Sequence, residues 1–469
     1  MIEGLKPYEE YKESGQAWLG VVPAHWGVIP NRALFDEVKD KNHPSEEMLS
    51  VTITRGIIRQ RALLSDTAKK DSSNINKGAY KLVQPGDIAY NKMRAWQGAM
   101  GASSFRGIIS PAYVVMRPRS GVSSWYYHHL YRTPTFAKEA ERWSYGITSD
   151  MWSLRPEHFK VIYSVEPSPD EQAAIVRFLD HANRKIDGFI RAKRKLIALL
   201  GEQKQAIIHR AVTRGLDPNA PLKPSGIPWL GDIPKHWEVW AFVRCTIERA
   251  DYRGATPEKV ESGVFLVTAK NIRKGWVDYE SSKEYVRSSE YSKIMRRGLP
   301  KIGDVLFTTE APLGHIALVD REDVAFAQRI IRFRLNPKRL LPSFALLCLN
   351  SAYFQNQLRE RATGSTAQGI KASKLPQLAV VFPVLEEQQD IVSNTEKQCA
   401  PLVTAIARTE REIALMQEYR TRLTADVVTG KLDVRKAAAT LPSETLAPDV
   451  ANDPEVFVET ELEEEDALA

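Results

Sequence analysis

Residues 14–28 read SGQAWLGVVPAHWGV, and residues 225–239 read SGIPWLGDIPKHWEV. Nine of the fifteen positions are identical at an offset of 211, among them Trp18/Trp229, Gly20/Gly231, Pro23/Pro234, His25/His236 and Trp26/Trp237. The echo continues along the chain. Pro85-Gly86-Asp87-Ile88 returns as Ile302-Gly303-Asp304-Val305, and Pro167 with Glu171-Gln172 returns as Pro383 with Glu387-Gln388. Val212-Thr213 and Leu216-Asp217 return as Val428-Thr429 and Leu432-Asp433. The offset drifts only from 211 to 217, so few insertions separate the halves. A period near 215 residues is too long for a solenoid, so the chain is one unit written twice.

Each copy opens with about 150 residues of mixed character. Short β-rich runs (Leu49–Ile53, Ala112–Met116, Val264–Thr268, Asp304–Phe307, Arg329–Leu335) are separated by Gly, Pro, Asn and Ser, as in a compact α/β domain. Each copy then turns helical. At 175, 179, 182, 186, 189, 193, 196, 200, 203 and 207 eight of ten residues are apolar, and at 392, 395, 399, 402, 406, 409, 413, 416, 420, 423 and 427 eight of eleven are. Alternating steps of three and four make a coiled-coil seam. Two such helices pair most simply with each other and span roughly 60 Å for about 40 residues; separate amphipathic surface helices are the alternative. Pro401 predicts a break or kink near residue 400. The outer and inner Trp of each entry segment read as a structural staple with buried indoles.

Charge adds a direction. The chain carries 65 Lys+Arg and 58 Asp+Glu, a net +7. Ten acidic and no basic residues lie between Leu441 and Ala469, so residues 1–440 carry +17. Of this, residues 1–167 hold +5, 168–217 hold +4, 218–385 hold +9 and 386–440 hold −1. A basic body suggests a polyanion, most plausibly nucleic acid, whose phosphates Lys and Arg neutralise. The acidic end reads as a disordered tail, either solubilising or competing for the basic surface. No apolar run is long enough for a transmembrane span, and the polar, acidic start argues against a signal peptide, so a cytoplasmic setting is expected. Cys245, Cys348 and Cys399 lie far apart and fit reduced, buried thiols.

Catalytic signatures are missing. There is no P-loop, no dinucleotide or S-adenosylmethionine fingerprint, no Asn-Pro-Pro-Tyr run and no zinc motif. Pro169-Asp170 with Glu202-Gln203-Lys204 imitates a metal-dependent nuclease, but both pieces fall on one predicted helix, too far apart to share Mg²⁺.

Cations interleaved with amide and aromatic residues suit DNA, since Arg reads guanine and Asn or Gln reads adenine bidentately. In copy one these are Arg55 and Arg59, with Thr54 and Arg61 nearby, and Asn91, Lys92, Arg94 and Gln97. In copy two they are Lys270, Asn271, Arg273, Lys274, Gln328 and Arg329. Near the end of each unit, Tyr145, Thr148 and Ser149 match Ser365, Thr366, Gln368 and Lys371 in place; Gly with hydroxyl residues lets backbone N–H groups approach phosphates. Solvated loop charge and plain turns are the alternative for any one of them.

The arrangement resembles the specificity subunit of type I restriction–modification systems over about residues 14–435. The W-L-G-x-x-P-x-H-W entries (18–26, 229–237), the G-D turns (86–87, 303–304), the P-x-x-x-E-Q helix starts (167–172, 383–388) and the helix ends A-V-T-R-G-L-D (211–217) and V-V-T-G-K-L-D (427–433) carry the likeness. N-K-M-R-A-W-Q-G-A-M-G (91–101), I-S-P-A-Y-V-V (109–115) and T-E-A-P-L-G (309–314) look like its recognition domains. The resemblance implies an α+β chain of two tandem α/β target recognition domains (1–167 and 218–385). Two helical spacers (168–217 and 386–435) would form an antiparallel coiled coil in a pseudo-twofold repeat; the acidic tail (436–469) departs from the pattern and is not part of the shared core. It implies a non-catalytic DNA-binding subunit that reads a bipartite double-stranded target. Two methyltransferase subunits would dock on it and the restriction helicase–nuclease subunits would join them. S-adenosylmethionine, ATP and Mg²⁺ would sit on those partners only, and no membrane is involved. A coiled-coil protein–protein adaptor without DNA specificity is the alternative function.

Overall fold

The Gly-Asp turns at 86–87 and 303–304 each launch the same piece of sheet. The glycine takes positive φ in both, +90° and +87°, a conformation that a side chain disfavours. Gly86 N–H donates to the Ser103 carbonyl at 2.8 Å and Ser103 N–H returns a bond to the Asp87 carbonyl at 2.9 Å. Gly303 and Val319 repeat this, with Val319 N–H on the Asp304 carbonyl, both at 2.8 Å. The aspartate closes each turn by accepting from a backbone N–H, Gln84 at 2.9 Å and Lys301 at 3.0 Å. The computed structural model describes residues 5–61, 77–146, 152–252, 256–327, 329–364 and 368–442.

The chain divides into two compact units, Met1–Ala192 with Glu412–Ala469, and Lys193–Arg411. In the first, β1 (Phe35–Val38), β2 (Ile88–Asn91), β3 (Met100–Ala102) and β4 (Tyr113–Pro118) form an antiparallel sheet in the order β1-β4-β2-β3. Helices α1 (Ser124–Tyr131) and α2 (Pro134–Arg142) follow, capped by Ser123 and Thr133, whose side chains accept from Tyr126 and Phe136 N–H. Helix α3 then runs from Pro169 to Arg214. In the second unit, β5 (Thr246–Asp251), β6 (Val305–Thr308), β7 (Ile316–Leu318) and β8 (Ile330–Leu335) take the corresponding antiparallel order β5-β8-β6-β7. Helices α4 (Pro342–Leu349) and α5 (Ala352–Arg361) follow, and α6 (Leu385–Val428) belongs to this unit up to Arg411 and to the first unit from Glu412. The inner strands are rich in β-branched and aromatic residues and wholly or largely buried, as sheet interiors require. The fold is mixed α/β.

The repeated motifs hold the start of each long helix. In the first unit, Glu171 contacts His25 Nε2 at 3.0 Å and accepts from Tyr8 Oη at 2.6 Å. In the second, Glu387 contacts His236 Nε2 at 2.8 Å and accepts from Trp237 Nε1 at 3.0 Å. Gln172 and Gln388 donate to the carbonyls of Pro167 and Pro383 at 2.8 and 2.9 Å, and accept from the N–H of Ser123 and Leu341, both at 2.9 Å. At the other end of the motif, Gly430 at φ +80° sits against Pro23 and Trp26, where a Cβ would be 2.3 Å from Pro23 Cδ. Gly215 at φ +70° sits under Trp237. Trp26 and Trp237 are fully buried, as expected of a staple. Their outer partners are not: Trp18 is half-buried, and Trp229 is 50% exposed.

Two expectations for the long helices need correction. Helix α6 is unbroken through Pro401. Proline removes its own N–H and orphans the carbonyl four residues earlier, but Pro401 and Lys397 are both exposed, so water can satisfy that carbonyl. The seam on α3 also shifts. Ile175, Leu179, Ala182 and Ile186 are buried as expected, but Phe189, Leu196 and Gln203 are exposed, and Ile190, Ile208 and Ala211 are buried instead. A strict period of 3.5 drifts against the 3.6 residues per turn of a straight helix, and the buried stripe follows the helix. Within the first unit, Ile175, Leu179 and Ala182 share a core with Leu423, Val427 and Val428, and Arg420 pairs with Asp187. Within the second, Ile208, Ala211 and Val212 share a core with Ile391 and Cys399. All three cysteines are free and buried.

Candidate nucleic-acid interface

In the first unit the loop from Asn91 to Ala99, between β2 and β3, is tightly wound. Asn91 N–H donates to the Ala99 carbonyl at 3.0 Å, Asn91 Oδ1 accepts from Met93 N–H at 3.0 Å, and Arg94 and Gln97 N–H bond back into the loop. Trp96 Nε1 donates to the Met93 carbonyl at 2.9 Å, and its ring meets Trp152 edge-on at 5.5 Å. Leu154 N–H donates to the Lys92 carbonyl at 2.9 Å, and Tyr145 pairs by backbone with Ser153. Asn91, Lys92, Arg94, Gln97 and Tyr145 therefore belong to one loop cluster. Tyr145 is 59% exposed, with its ring edge-on to His158. Among the described residues, Lys92 and Arg94 have no ion-pair partner. Beside this cluster stands the hairpin Leu49–Thr52/Gly56–Arg59, with Arg55 at its tip and likewise without an ion pair among the described residues.

Two of these side chains are already engaged. Arg59 pairs with Glu47 at 3.2 Å and lies over the Phe105 ring at 4.8 Å, so its guanidinium is already committed on two sides. Asn91 Oδ1 already accepts from Met93 N–H, so the amide is oriented by the loop and keeps one lone pair free.

In the second unit the T-E-A-P-L-G turn joins the expected residues. Thr309 N–H donates to the Arg329 carbonyl at 2.8 Å, and Ile370 N–H to the Thr309 carbonyl at 3.0 Å. Glu310 and Thr363 both pair with Gly369, and Glu310 reaches Arg329 at 3.4 Å. On the other flank, His315 Nδ1 bonds the Ile272 carbonyl at 2.8 Å, and Gly275 N–H bonds the Ile316 carbonyl at 2.8 Å. Arg329, Gln368 and Lys371 thus gather on one side of the turn, and Lys270, Arg273 and Lys274 on the other. Arg273 faces Asp278 at 3.4 Å. Arg329–Glu310 is exposed on both sides and the Arg273 guanidinium is exposed, so a phosphate can compete for either arginine.

Asn271 corrects the sequence reading. It is fully buried. Its Nδ2 donates to the carbonyls of Asp278 and Ser282 at 2.9 and 2.8 Å, and its Oδ1 accepts from Thr268 N–H and Oγ1 at 2.9 and 3.0 Å. With its capacity used inside the loop, it holds the basic turn and cannot read a base. Thr148, Ser149, Gln328, Ser365 and Thr366 lie outside the described residues, as does nearly all of the acidic tail.

Sequence reasoning missed two residues. Trp276 is 56% exposed on the turn Arg273-Lys274-Gly275-Trp276, which Arg273 N–H closes onto the Trp276 carbonyl at 3.0 Å. An exposed indole next to cations is a stacking surface; the string RKGW was the available signal. The second is Arg132 on the first unit, described below. No group of His, Cys, Asp or Glu among the described residues could hold a metal, and no described helix is long and apolar enough to cross a membrane. Asp170 and Lys204 lie on the single helix α3.

Residues 271–398, which span the basic turn, the T-E-A-P-L-G loop and the start of α6, match the family model of the type I restriction modification DNA specificity domain. This stretch is similar to a type I specificity domain. A solved chain from work on complex assembly and conformational transition of the type I R-M system aligns over 88% of this chain and 99% of its own, at 12% identity and a TM-score of 0.60, which shows a shared fold. The HsdS subunit from Thermoanaerobacter tengcongensis aligns over 88% of this chain and 98% of its own, at 14% identity and a TM-score of 0.39. The type I restriction-modification S subunit from M. genitalium aligns over 86% and 96%, at 11% identity and a TM-score of 0.33. The resemblance to a type I specificity subunit, first carried by the repeated motifs, is thus supported by the family model and by fold.

Proposed function

We propose that this chain is the DNA-reading, non-catalytic subunit of a type I restriction–modification complex. Residues 1–167 and 218–385 act as target recognition domains, each reading one half of a bipartite double-stranded target. Residues 168–217 and 386–435 act as an antiparallel coiled-coil spacer that fixes the gap between half-sites and docks two methyltransferase subunits. The restriction subunits join that core, and S-adenosylmethionine, ATP and Mg²⁺ serve the partners.

The observation that carries this reading is duplication with matched architecture. Each unit has the same strand order, the same Gly-Asp turn and a loop cluster of cations held on a hydrogen-bonded base. Two such readers in one chain suit a split target, as two half-site readers suit a dimeric repressor. The packing of early α3 with late α6 in one unit, and of late α3 with early α6 in the other, supports the antiparallel spacer.

The test is selection from random duplex DNA by the assembled methyltransferase complex. The expected product is two short motifs at a fixed gap. A single continuous motif, or no enrichment, overturns the reading; the absence of any salt-dependent DNA affinity would favour a protein adaptor. Arg94→Ala should relax the first half-site alone. Lys92→Ala, if it touches only phosphate, should weaken all sequences evenly and reduce the salt slope by about one.

A further inference from the structure

Beneath the first unit's loop cluster lies a guanidinium with no carboxylate partner among the described residues. Arg132 follows α1 and points at three backbone carbonyls. Its Nη1 donates to Met100 at 2.9 Å; its Nη2 donates to Ile53 at 2.9 Å and to Thr54 at 2.6 Å. Burial pushes its pKa down to about 10, which leaves it charged at neutral pH. Met100 begins β3 at the exit of the Asn91–Ala99 loop, and Ile53 and Thr54 form the turn that carries Arg55. Arg55 N–H donates to Thr52 Oγ1 at 3.0 Å, and Thr52 Oγ1 bonds the Gly56 carbonyl at 3.1 Å, so the turn is closed from within as well.

The surrounding residues are shaped to let this happen. A Cβ on Gly56 would be 3.3 Å from Arg132 Nη1 and 3.2 Å from His128 Cε1, and Gly56 has φ +71°. A Cβ on Gly101 would be 2.8 Å from His128 Nδ1. His128 Nδ1 accepts from Ala102 N–H at 3.1 Å. The hairpin and β3 are thus drawn onto the α1 end closely enough that only glycine fits at either contact.

A partly buried cation with no carboxylate partner among the described residues gives up some of its hydration, and backbone carbonyls must replace it. Methionine or leucine would fill space there without the charge. What the guanidinium supplies that they cannot is a fixed planar fork of donors joining two separate segments. We propose that Arg132 is a positioning residue for specificity: it locks the Arg55 turn to the exit of the Asn91–Ala99 loop, so that the two segments address the first half-site as one rigid reader. This rests on the reading of the first unit as a DNA-recognition domain. Arg132 itself touches no base.

The experiment uses the assembled methyltransferase complex with duplexes carrying single-base changes in either half-site. Arg132→Gln is expected to lose roughly tenfold of the discrimination at the first half-site, the worth of one misread base pair, with discrimination at the second unchanged. Arg132→Lys, which keeps the charge and some donors, should recover part of the loss. Hydrogen exchange should quicken together in residues 52–56 and 91–100 in Arg132→Gln and not elsewhere in the unit. Should Arg132→Gln fail to fold, Thr52→Val opens the same turn from its solvent side and should relax the first half-site with assembly intact. Unchanged first-half discrimination in a folded Arg132→Gln or Thr52→Val complex overturns the proposal, as does equal loss at both half-sites. If the wild-type complex shows no bipartite preference at all, the functional reading fails instead.

Discussion

The two units use the same aspartate for the same turn, yet they stake different amounts on it. In the first, Asp87 bonds Arg117 bidentately, both contacts at 2.9 Å, and Arg117 is 40% exposed. In the second, Asp304 binds two arginines. Arg332 Nη1 is 2.5 Å away with its side chain fully buried, Arg334 reaches the same carboxylate at 2.9 Å, and Glu248 closes the cluster. The backbone geometry was duplicated; the electrostatic setting was not. A copied turn fixes where a strand begins, and the side chains on the next strand decide what the turn costs to lose. Asp304→Ala leaves the buried Arg332 with Glu248 as its remaining carboxylate and should cost about 3–5 kcal/mol. Asp87→Ala leaves Arg117 able to reach water and should cost about 1–2 kcal/mol. Denaturation of the two variants, followed by hydrogen exchange in β6 and β2, measures the gap. Equal costs would sink the contrast.

The entry tryptophans give a second contrast. Both indoles are fully buried, but Trp237 donates to Glu387, whereas Trp26 finds no acceptor among the described residues and Tyr8 takes its place on Glu171. Phenylalanine at either position loses similar volume. Only Trp237→Phe also loses a hydrogen bond to a carboxylate, worth about 1.5–3 kcal/mol. The expected outcome is that Trp237→Phe is the more destabilised by about that amount. Tyr8→Phe should transfer part of the deficit to the first unit, because it removes the equivalent bond.

The loops make the third contrast, in binding and not in stability. The second unit presents Trp276 next to Arg273 and Lys274, and the first presents Tyr145 beside His158. Trp276→Ala should weaken DNA binding by about 1–3 kcal/mol, the range for a stacked aromatic, and leave the melting temperature unchanged because the indole is exposed. A drop in melting temperature without a change in affinity would place the indole in the fold and not in the interface.

Much of the framework was legible because it is repeated. The nine identities in the entry segments marked the buried Trp26 and Trp237, and the Glu-Gln pairs marked the helix starts they now pin. The α3 seam was legible only at its start, because a few residues cannot separate a period of 3.5 from one of 3.6; the drift of about 20° per heptad reaches about 40° by Phe189 and about a full position by Ile208. Asn271 was misread for a different reason. An amide that reads adenine and an amide that satisfies three backbone groups have the same name in a sequence; burial alone separates them. Arg132 left no signal, since its partners are carbonyls and not a carboxylate at a readable spacing.

The smallest expected difference concerns acid. A histidine lies beneath the loops of each unit, and both are held below the usual imidazole range, chiefly by desolvation; nearby cations add to this, Arg132 for His128, Lys274 and Arg273 for His315. The bonds differ. His128 Nδ1 is an acceptor for Ala102 N–H, so protonation there destroys the contact. His315 Nδ1 donates to the Ile272 carbonyl, a bond that protonation preserves and that opposes the downward shift. A folded-state pKa below the unfolded value means that the stabilisation is fully present above about pH 6.5 and is lost as pH falls below it, when the unfolded chain takes the proton first. Between pH 7.5 and 5.5, protection of residues 100–103 in the first unit should therefore fall further than that of residues 315–318 in the second. His128→Asn, which keeps an acceptor for Ala102 N–H and removes the titration, should flatten the first unit's response. If the second unit loses protection first, the assigned roles of the two ring nitrogens are wrong.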